Sequence, residues 1–524
     1  MNRRQLLAAS TAAFLARPAV AQNMRSRTLR FVPQANLSSL DPIWTSAHIA
    51  RNHGYLVYDT LYAMDRTYQV HPQMAAGHTV EEDGHRWTIT LRDGLTFHDG
   101  EPVRARDAVA SIRRWAQRVA FGQKLMSVTD NLAALDDRRI EFRLKKPFPL
   151  LPNALGLSGQ PPFIMPERIA QTDAFRQITE TTGSGPFRFK ADEYISGDRA
   201  VYERYADYVP RGDGTPSFVS GPKRALLDRI EWRIITDAGT ASSALQAGEI
   251  DWFEQPAFEL TQLFARNRNI RVTALDSAGT NGFLRLNHLH PPFDDRKIRQ
   301  AVQLALSQED VLIADFGTDP AFWRTGTGVF TPGSPMANDA GLEWVRGPQI
   351  DRARAMLREA GRAGAPARLL GATDIPSIAA RGPVVADVLR RLGFELDFAE
   401  SDWGTLLQRR NSREPLNKGG WSAFFSGFTA YDFADPAAHP LLRGNGTDGY
   451  LGWPTIPPLE TLREQWFDAP DDAGRKAIAR DIQRVSLEEV CYVPTGTGLS
   501  RTALRADLKD RLEGFPVFWN IRRG

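Results

Sequence analysis

Arg368-Leu369-Leu370-Gly371-Ala372 is a short apolar run, and the residues that follow it decide the architecture. Val384, Val385, Val388, Leu389 and Leu392 recur at helical spacing. Gly393 supplies a stop, and Phe394, Leu396 and Phe398 then alternate. A period of 3.6 followed by a period of 2 reads as strand, helix, strand. A second such unit lies far upstream. There Ile230–Ile235 reads as a strand, Ala238–Gln246 as a short helix closed by Gly248, and Ile250–Phe253 as the next strand. Two β–α–β units well separated in one chain predict two α/β lobes.

Other elements agree. After the N-cap pair Asp294-Asp295, the residues Ile298, Ala301, Val302, Ala305 and Leu306 form one apolar stripe. Asp351 opens another helix ending at Gly361, and Ile478, Ile482 and Val485 mark a long late one. Trp87 to Phe97 reads as antiparallel strands with Asp93-Gly94 at the hairpin turn. The sequence contains no internal repeat and no low-complexity linker, so short strands are the expected crossings between lobes.

Composition narrows the class. The chain has 524 residues, 42% hydrophobic and 24% charged, with 65 Lys plus Arg against 62 Asp plus Glu. That is too long for one ordinary core and too apolar for disorder. The +3 charge is carried by the first 21 residues, which hold Arg3, Arg4 and Arg17 and no acid. A basic start, an apolar run from Leu6 to Leu15 and the small triplet Ala19-Val20-Ala21 read as an export leader cut near Ala21. The apolar run is about ten residues, short of the roughly 20 that span a bilayer. Arg3-Arg4 ahead of two leucines resembles a twin-arginine signal, and a general secretory leader fits the same layout. Gln22 rather than Cys follows the cut, which argues against a lipid anchor. The expected mature protein is a soluble periplasmic monomer without membrane insertion.

Reactive constellations are missing. No G-x-S-x-G elbow, H-E-x-x-H or Walker-type loop occurs. Cys491 is the only cysteine, which rules out an intrachain disulfide and reads as a buried structural thiol. His288 and His290 could share a strand face, with weak support for a metal. His98 reads as ordering its own turn. Arg409-Arg410 and Arg522-Arg523 are isolated pairs, so no basic face for nucleic acid is expected. No catalytic residue, metal or cofactor is expected.

Several motifs in order resemble one family. Leu91-Arg92-Asp93-Gly94-Leu95-Thr96-Phe97-His98-Asp99-Gly100-Glu101-Pro102-Val103 resembles the signature of the bacterial solute-binding proteins, family 5. Ser39-Leu40-Asp41-Pro42, Gly183-Ser184-Gly185-Pro186-Phe187, Asn287 with Pro291–Arg296, and Ile298-Arg299-Gln300-Ala301 agree in the same order. The resemblance implies a bilobed type II periplasmic-binding-protein fold with an extra subdomain in the first lobe. Lobe one would comprise 22–65, 185–277 and 493–524, the extra subdomain 66–184, and lobe two 278–492. It also implies a receptor that binds a small solute between hinged lobes, a peptide or amino-acid-like compound by default. The receptor would deliver it to an inner-membrane ABC permease and its ATPase. A sensing partner of a membrane receptor and, less favoured, a periplasmic hydrolase are the alternatives.

The resemblance also nominates ligand contacts. In peptide-binding members an Asp just before an acidic-Pro pair meets the ligand amine. Counting back from Asp435-Pro436 selects Asp432, whereas counting forward from Gly427 selects Tyr431, with Phe428 in the same stretch. Trp403 resembles a Trp that lines the side-chain pocket of oligopeptide binders, and Arg410 an Arg that meets a ligand carboxylate. From lobe one the candidates are Trp44, Thr45, His48 and Arg51, and beside the hinge Asn281.

Overall fold

The computed structural model describes residues 27–264 and 266–524, so the leader lies outside the described residues. One seven-stranded sheet runs in the order Ile270–Ala274, Arg501–Arg505, Trp252–Phe253, Thr28–Val32, Arg229–Arg233, Arg199–Arg204, Phe187–Phe189. Thr28–Val32 is parallel to both 229–233 and 252–253. The helix Ala238–Ala247 is therefore a crossover between the strands that flank it. Asp237 caps that helix, accepting from the Thr240 amide at 2.7 Å, and Gly248 ends it at φ 72°. Leu29 and Phe31 point into the core, where Phe31 packs on Trp252 and Phe518 at 4.9 and 5.0 Å.

A second sheet of six strands runs Trp323–Arg324, Val493–Gly498, Thr280–Leu286, Ala423–Thr429, Pro366–Ala372, Glu395–Ser401. Here the strand, helix and strand read from the sequence appear as 366–372, Pro376–Leu392 and 395–401. The two strands pair in parallel over their whole length. The apolar stripe faces the sheet, with Val385, Leu389 and Leu392 buried. The chain passes between the sheets at Leu275–Gly279 and again at Leu499–Ser500. These crossings touch, since the Leu275 amide donates to the Ser500 carbonyl at 2.8 Å.

Three expectations need correction. Residue 493 is not where the chain returns to lobe one. Val493–Gly498 is hydrogen-bonded to Thr280–Leu286 in the second sheet, and only from Arg501 does the chain rejoin the first. The hairpin turn is not Asp93-Gly94. Ala75–Glu81 and Arg86–Leu91 pair around Glu82–His85, and the free edge of 86–91 is taken by Arg139–Leu144. With both edges filled, the segment after Gly94 cannot fold back on that strand. It makes a small loop of its own, bridged at Thr96 and Pro102. Finally, His288 and His290 lie beyond the strand, which ends at Leu286; His290 pairs with the Arg413 carbonyl at 2.8 Å. Among the described residues no cluster of three His, Cys, Asp or Glu could hold a metal, and no helix is long and apolar enough to cross a membrane.

The four-stranded sheet (75–81, 86–91, 139–144, 129–134) forms the extra subdomain with the helices Ala105–Ala116 and Ala120–Val128. Buried charge fastens it to lobe one. Arg114 makes a bidentate pair with Asp41 at 3.1 and 2.6 Å, with side chains 2% and 0% exposed. Asp41 also accepts from the amides of Ile43 and Ile178. Within lobe one, Asp59, just past the helix His48–Val57, pairs with Lys223 at 2.7 Å and accepts from the Tyr208 hydroxyl. His98 orders a distant loop rather than its own turn: its Nδ1 accepts from the Gly183 amide, and its Nε2 bonds the Gly185 carbonyl at 3.0 Å. Cys491 is wholly buried, its thiol donating to the Leu441 carbonyl, and burial raises its pKa.

Candidate functional site

Between the two sheets lies a trough with three connected compartments. The middle one is walled by Gln34, Ser46, His48 and Gln255 from lobe one and by Thr280, Arg381, Trp403, Arg410 and Phe428 from lobe two. The compartment on one side shares Ser46, His48 and Phe428 with it and reaches Asp432, Gly159 and Gln160. The compartment on the other side shares Gln34, Ala35, Gln255, Ile375 and Ser500.

His48 opens the first helix of lobe one, and its ring meets Phe428 across the trough at 6.1 Å. Burial, reinforced by Arg51, holds that imidazole well below its ordinary pKa, so it is neutral. Phe428 is stacked from behind on Phe283, with rings 5.6 Å apart and 13° from parallel.

Asp432 stands in the turn Ala430–Phe433 that follows the strand Ala423–Thr429. Its Oδ2 accepts from the amide and hydroxyl of Thr429 at 3.0 and 2.6 Å, whereas Oδ1 accepts nothing among the described residues. Oδ1 lies so close to Gly159 that a Cβ there would come within 1.7 Å of it. Burial raises the pKa of this carboxyl, and Arg51 only partly opposes the shift. A buried carboxyl with one oxygen unsatisfied is an acceptor for a cation brought by a ligand.

Arg410 is the opposite pole. It follows the helix Trp403–Arg409, which Asp402 caps. The guanidinium lies 5.8 Å from the Trp403 ring and 5.7 Å from Phe424. Nη1 donates to the Tyr450 hydroxyl at 3.3 Å, Nε is buried without a partner, and no ion pair is present among the described residues. Arg381, the third charge on the wall, is already matched: its Nε donates to Asp315 at 2.8 Å.

Of the ten sequence candidates, His48, Trp403, Arg410, Phe428 and Asp432 line the trough. The other five candidates do not line it. Trp44 faces the extra subdomain, its Nε1 donating to the Phe175 carbonyl. The Thr45 hydroxyl accepts from the Ala47 amide in the turn before the helix. Arg51 is buried over the Phe515 ring at 3.7 Å and bonded to Asn52, with its pKa pulled down to about 10 by burial. Asn281 is locked between Thr331 and Thr497, because its strand is central and this side chain faces the sheet interior. Tyr431 turns away from its neighbour Asp432 and stacks on Phe218 of lobe one, 4.0 Å between rings and 17° from parallel, with Tyr68 at 5.2 Å. Of the two ways to count the loop, Asp432 is the one that reaches the trough.

Arg381 was missed, though the sequence carries a signal for it. Positions 381, 385, 388 and 392 share one helix face, so Arg381 is a lone cation on an apolar stripe. Gly159 had no such signal, because its role depends on a contact distant in sequence.

Residues 69–449 match the family model described as bacterial extracellular solute-binding proteins, family 5 Middle. The chain belongs to this family. A probable peptide ABC transporter periplasmic-binding protein, y4tO of Sinorhizobium fredii, is 37% identical over 93% of this chain and 92% of its own length. The glutathione-binding protein GsiB of Salmonella typhi is 28% identical over 68% of this chain and 64% of its own. Among solved structures, a dipeptide-binding protein from a Pseudoalteromonas species, in complex with Met-Leu, superposes with a TM-score of 0.78. It is 19% identical and covers 95% of this chain and 100% of its own. AgaA of A. tumefaciens R10, in complex with agropinic acid, gives 0.79 at 19% identity, covering 95% of this chain and 99% of its own. This family 5 protein accordingly has the bilobed periplasmic-binding-protein fold and is the substrate-binding component of an ABC importer. Its family and relatives are binding proteins, and family 5 members are periplasmic.

Proposed function

We propose that the solute is a short peptide or amino-acid-like zwitterion, held with its amine at Asp432 and its carboxylate at Arg410. The observation that carries this reading is a carboxylate with one free oxygen and a guanidinium without an anion in a single trough. In a water-poor cleft each such group gains more from a ligand partner than it would in water. The names of the relatives, peptide and glutathione binders, favour the same class. The loaded receptor would then present the solute to an inner-membrane permease and its ATPase after export and cleavage of the leader near Ala21. We also take the lobe boundaries as 65/66, 184/185 and 277/278, with the return to lobe one at 499. Denaturing the purified protein and identifying the released compound by mass spectrometry tests the substrate class. A compound with both an amine and a carboxylate is expected. A neutral sugar or a metal chelate without an amine would overturn the reading.

A further inference from the structure

The third compartment adjoins the middle one, which Arg410 lines, and shares no wall with the one containing Asp432. It is open on one side and has a cavity volume of about 150 Å³. Its wall is largely apolar, with Ile234, Ile235 and Phe253 from lobe one facing Phe316, Ile375 and Ala380 from lobe two. The Asp315–Arg381 pair stands at the boundary, Asp315 on this side and Arg381 on the other, and the two charges cancel each other. The exposed carboxylates at the rim, Glu259 and Asp374, have no cation paired to them among the described residues. Asp374 accepts only from the Trp403 amide, at 2.8 Å.

We infer that this compartment is a specificity subsite that takes a large apolar side chain on the carboxyl-terminal residue of the bound peptide. The inference rests on the peptide reading above and deepens it. With the amine at Asp432 and the carboxylate near Arg410, only the carboxyl-terminal side of the ligand borders this space. The apolar wall rewards burial of an aromatic or branched aliphatic side chain. At the rim Arg501, which donates to the Phe316 carbonyl, offsets part of the charge of Glu259 and Asp374, so the apolar wall rather than the rim sets the preference.

Calorimetric titration of the purified full chain, stripped of endogenous ligand, with Ala-Ala, Ala-Phe and Ala-Glu tests the assignment. Ala-Phe should bind roughly ten- to hundredfold more tightly than Ala-Ala, the fold-change expected from burying one such side chain. Ala-Glu should bind no better than Ala-Ala. In Ala380→Trp, which fills the space from the helix Pro376–Leu392, the ratio of the Ala-Phe and Ala-Ala constants should fall towards one. Ile235→Asn approaches the same space from the other lobe and should reduce the ratio without depending on how the tryptophan packs. Equal binding of Ala-Phe and Ala-Ala, tighter binding of Ala-Glu, or a ratio unchanged in both variants would overturn the subsite alone. Failure of all three peptides to bind would remove the peptide reading together with it.

Discussion

Two kinds of buried charge meet in this molecule. Where the extra subdomain joins lobe one, Asp41 faces Arg114, and its remaining capacity is taken by backbone amides. In the trough Asp432 is buried and Arg410 half-buried, and each keeps a polar atom without a partner among the described residues. Matched charges hold an interface in one geometry, whereas unmatched ones carry a standing desolvation cost that a ligand can relieve. Complete pairs thus hold the assembly and, at Arg381–Asp315, the trough wall itself, while Asp432 and Arg410 are left for a ligand to complete.

The sharpest way to break this contrast is to unmatch an assembly pair. Asp41→Ala should cost about 3–5 kcal/mol by leaving Arg114 buried and alone, seen as a lower denaturation midpoint in urea. A loss below about 1 kcal/mol would mean the pair is not what fastens the subdomain.

Glu254 offers a test on the unmatched side. It sits in lobe one beside the trough, accepts from the Gln34 amide at 2.8 Å, and has its pKa pushed up to about 7 by burial. The folded protein therefore holds this proton at pH values where the unfolded chain has released it. Stability from this group is highest below about pH 4.5 and declines as pH rises to about 7, by roughly 3 kcal/mol at most. Glu254→Gln should flatten that part of the pH–stability curve, and a curve parallel to that of the native protein would refute the assignment.

Effects on binding come next. Asp432→Asn should weaken a solute bearing an amine by roughly ten- to hundredfold, about 1.4–2.8 kcal/mol, while the asparagine oxygen can still accept from Thr429. Gly159→Ala should act on the same end, since its methyl group would collide with Oδ1. A roughly tenfold loss of affinity in titration is expected. Arg410→Met should also cost about tenfold, and only for solutes with a carboxylate. Equal losses for a carboxylate and its amide would remove Arg410 as that anchor.

Much of this was legible in the sequence because it is local. Periodicity and capping located the strand–helix–strand units, with stops at Gly248 and Gly393 where left-handed backbone is needed. The chain passes of the trough wall at 403–410 and 428–432 were also found. Direction within a tight turn was not. Tyr431 and Asp432 are adjacent, and a single 3₁₀ turn sends one into lobe one and the other to the trough. Trp44 and Thr45 failed for a related reason: proximity to Ser46 and His48 along the chain does not give them the same outlook. Arg51 shares a helix with His48 but points to Phe515 in the core. Contacts such as Gly159 against Asp432 or Tyr431 against Phe218 join segments that only the finished fold brings together.

The seat of Tyr431 has a thermodynamic corollary. Its ring reaches from one lobe into the other, lying on Phe218, which is itself packed edge-on against Phe515. Apparent affinity equals intrinsic affinity scaled by the fraction of molecules in the closed form. Phe218→Ala, which removes this seat, is expected to weaken capture of every solute by the same factor in calorimetric titration, and an unequal loss would show that the seat is not a contact of the closed form. The substitution touches none of them, so the profile of preferences stays fixed while the whole scale moves.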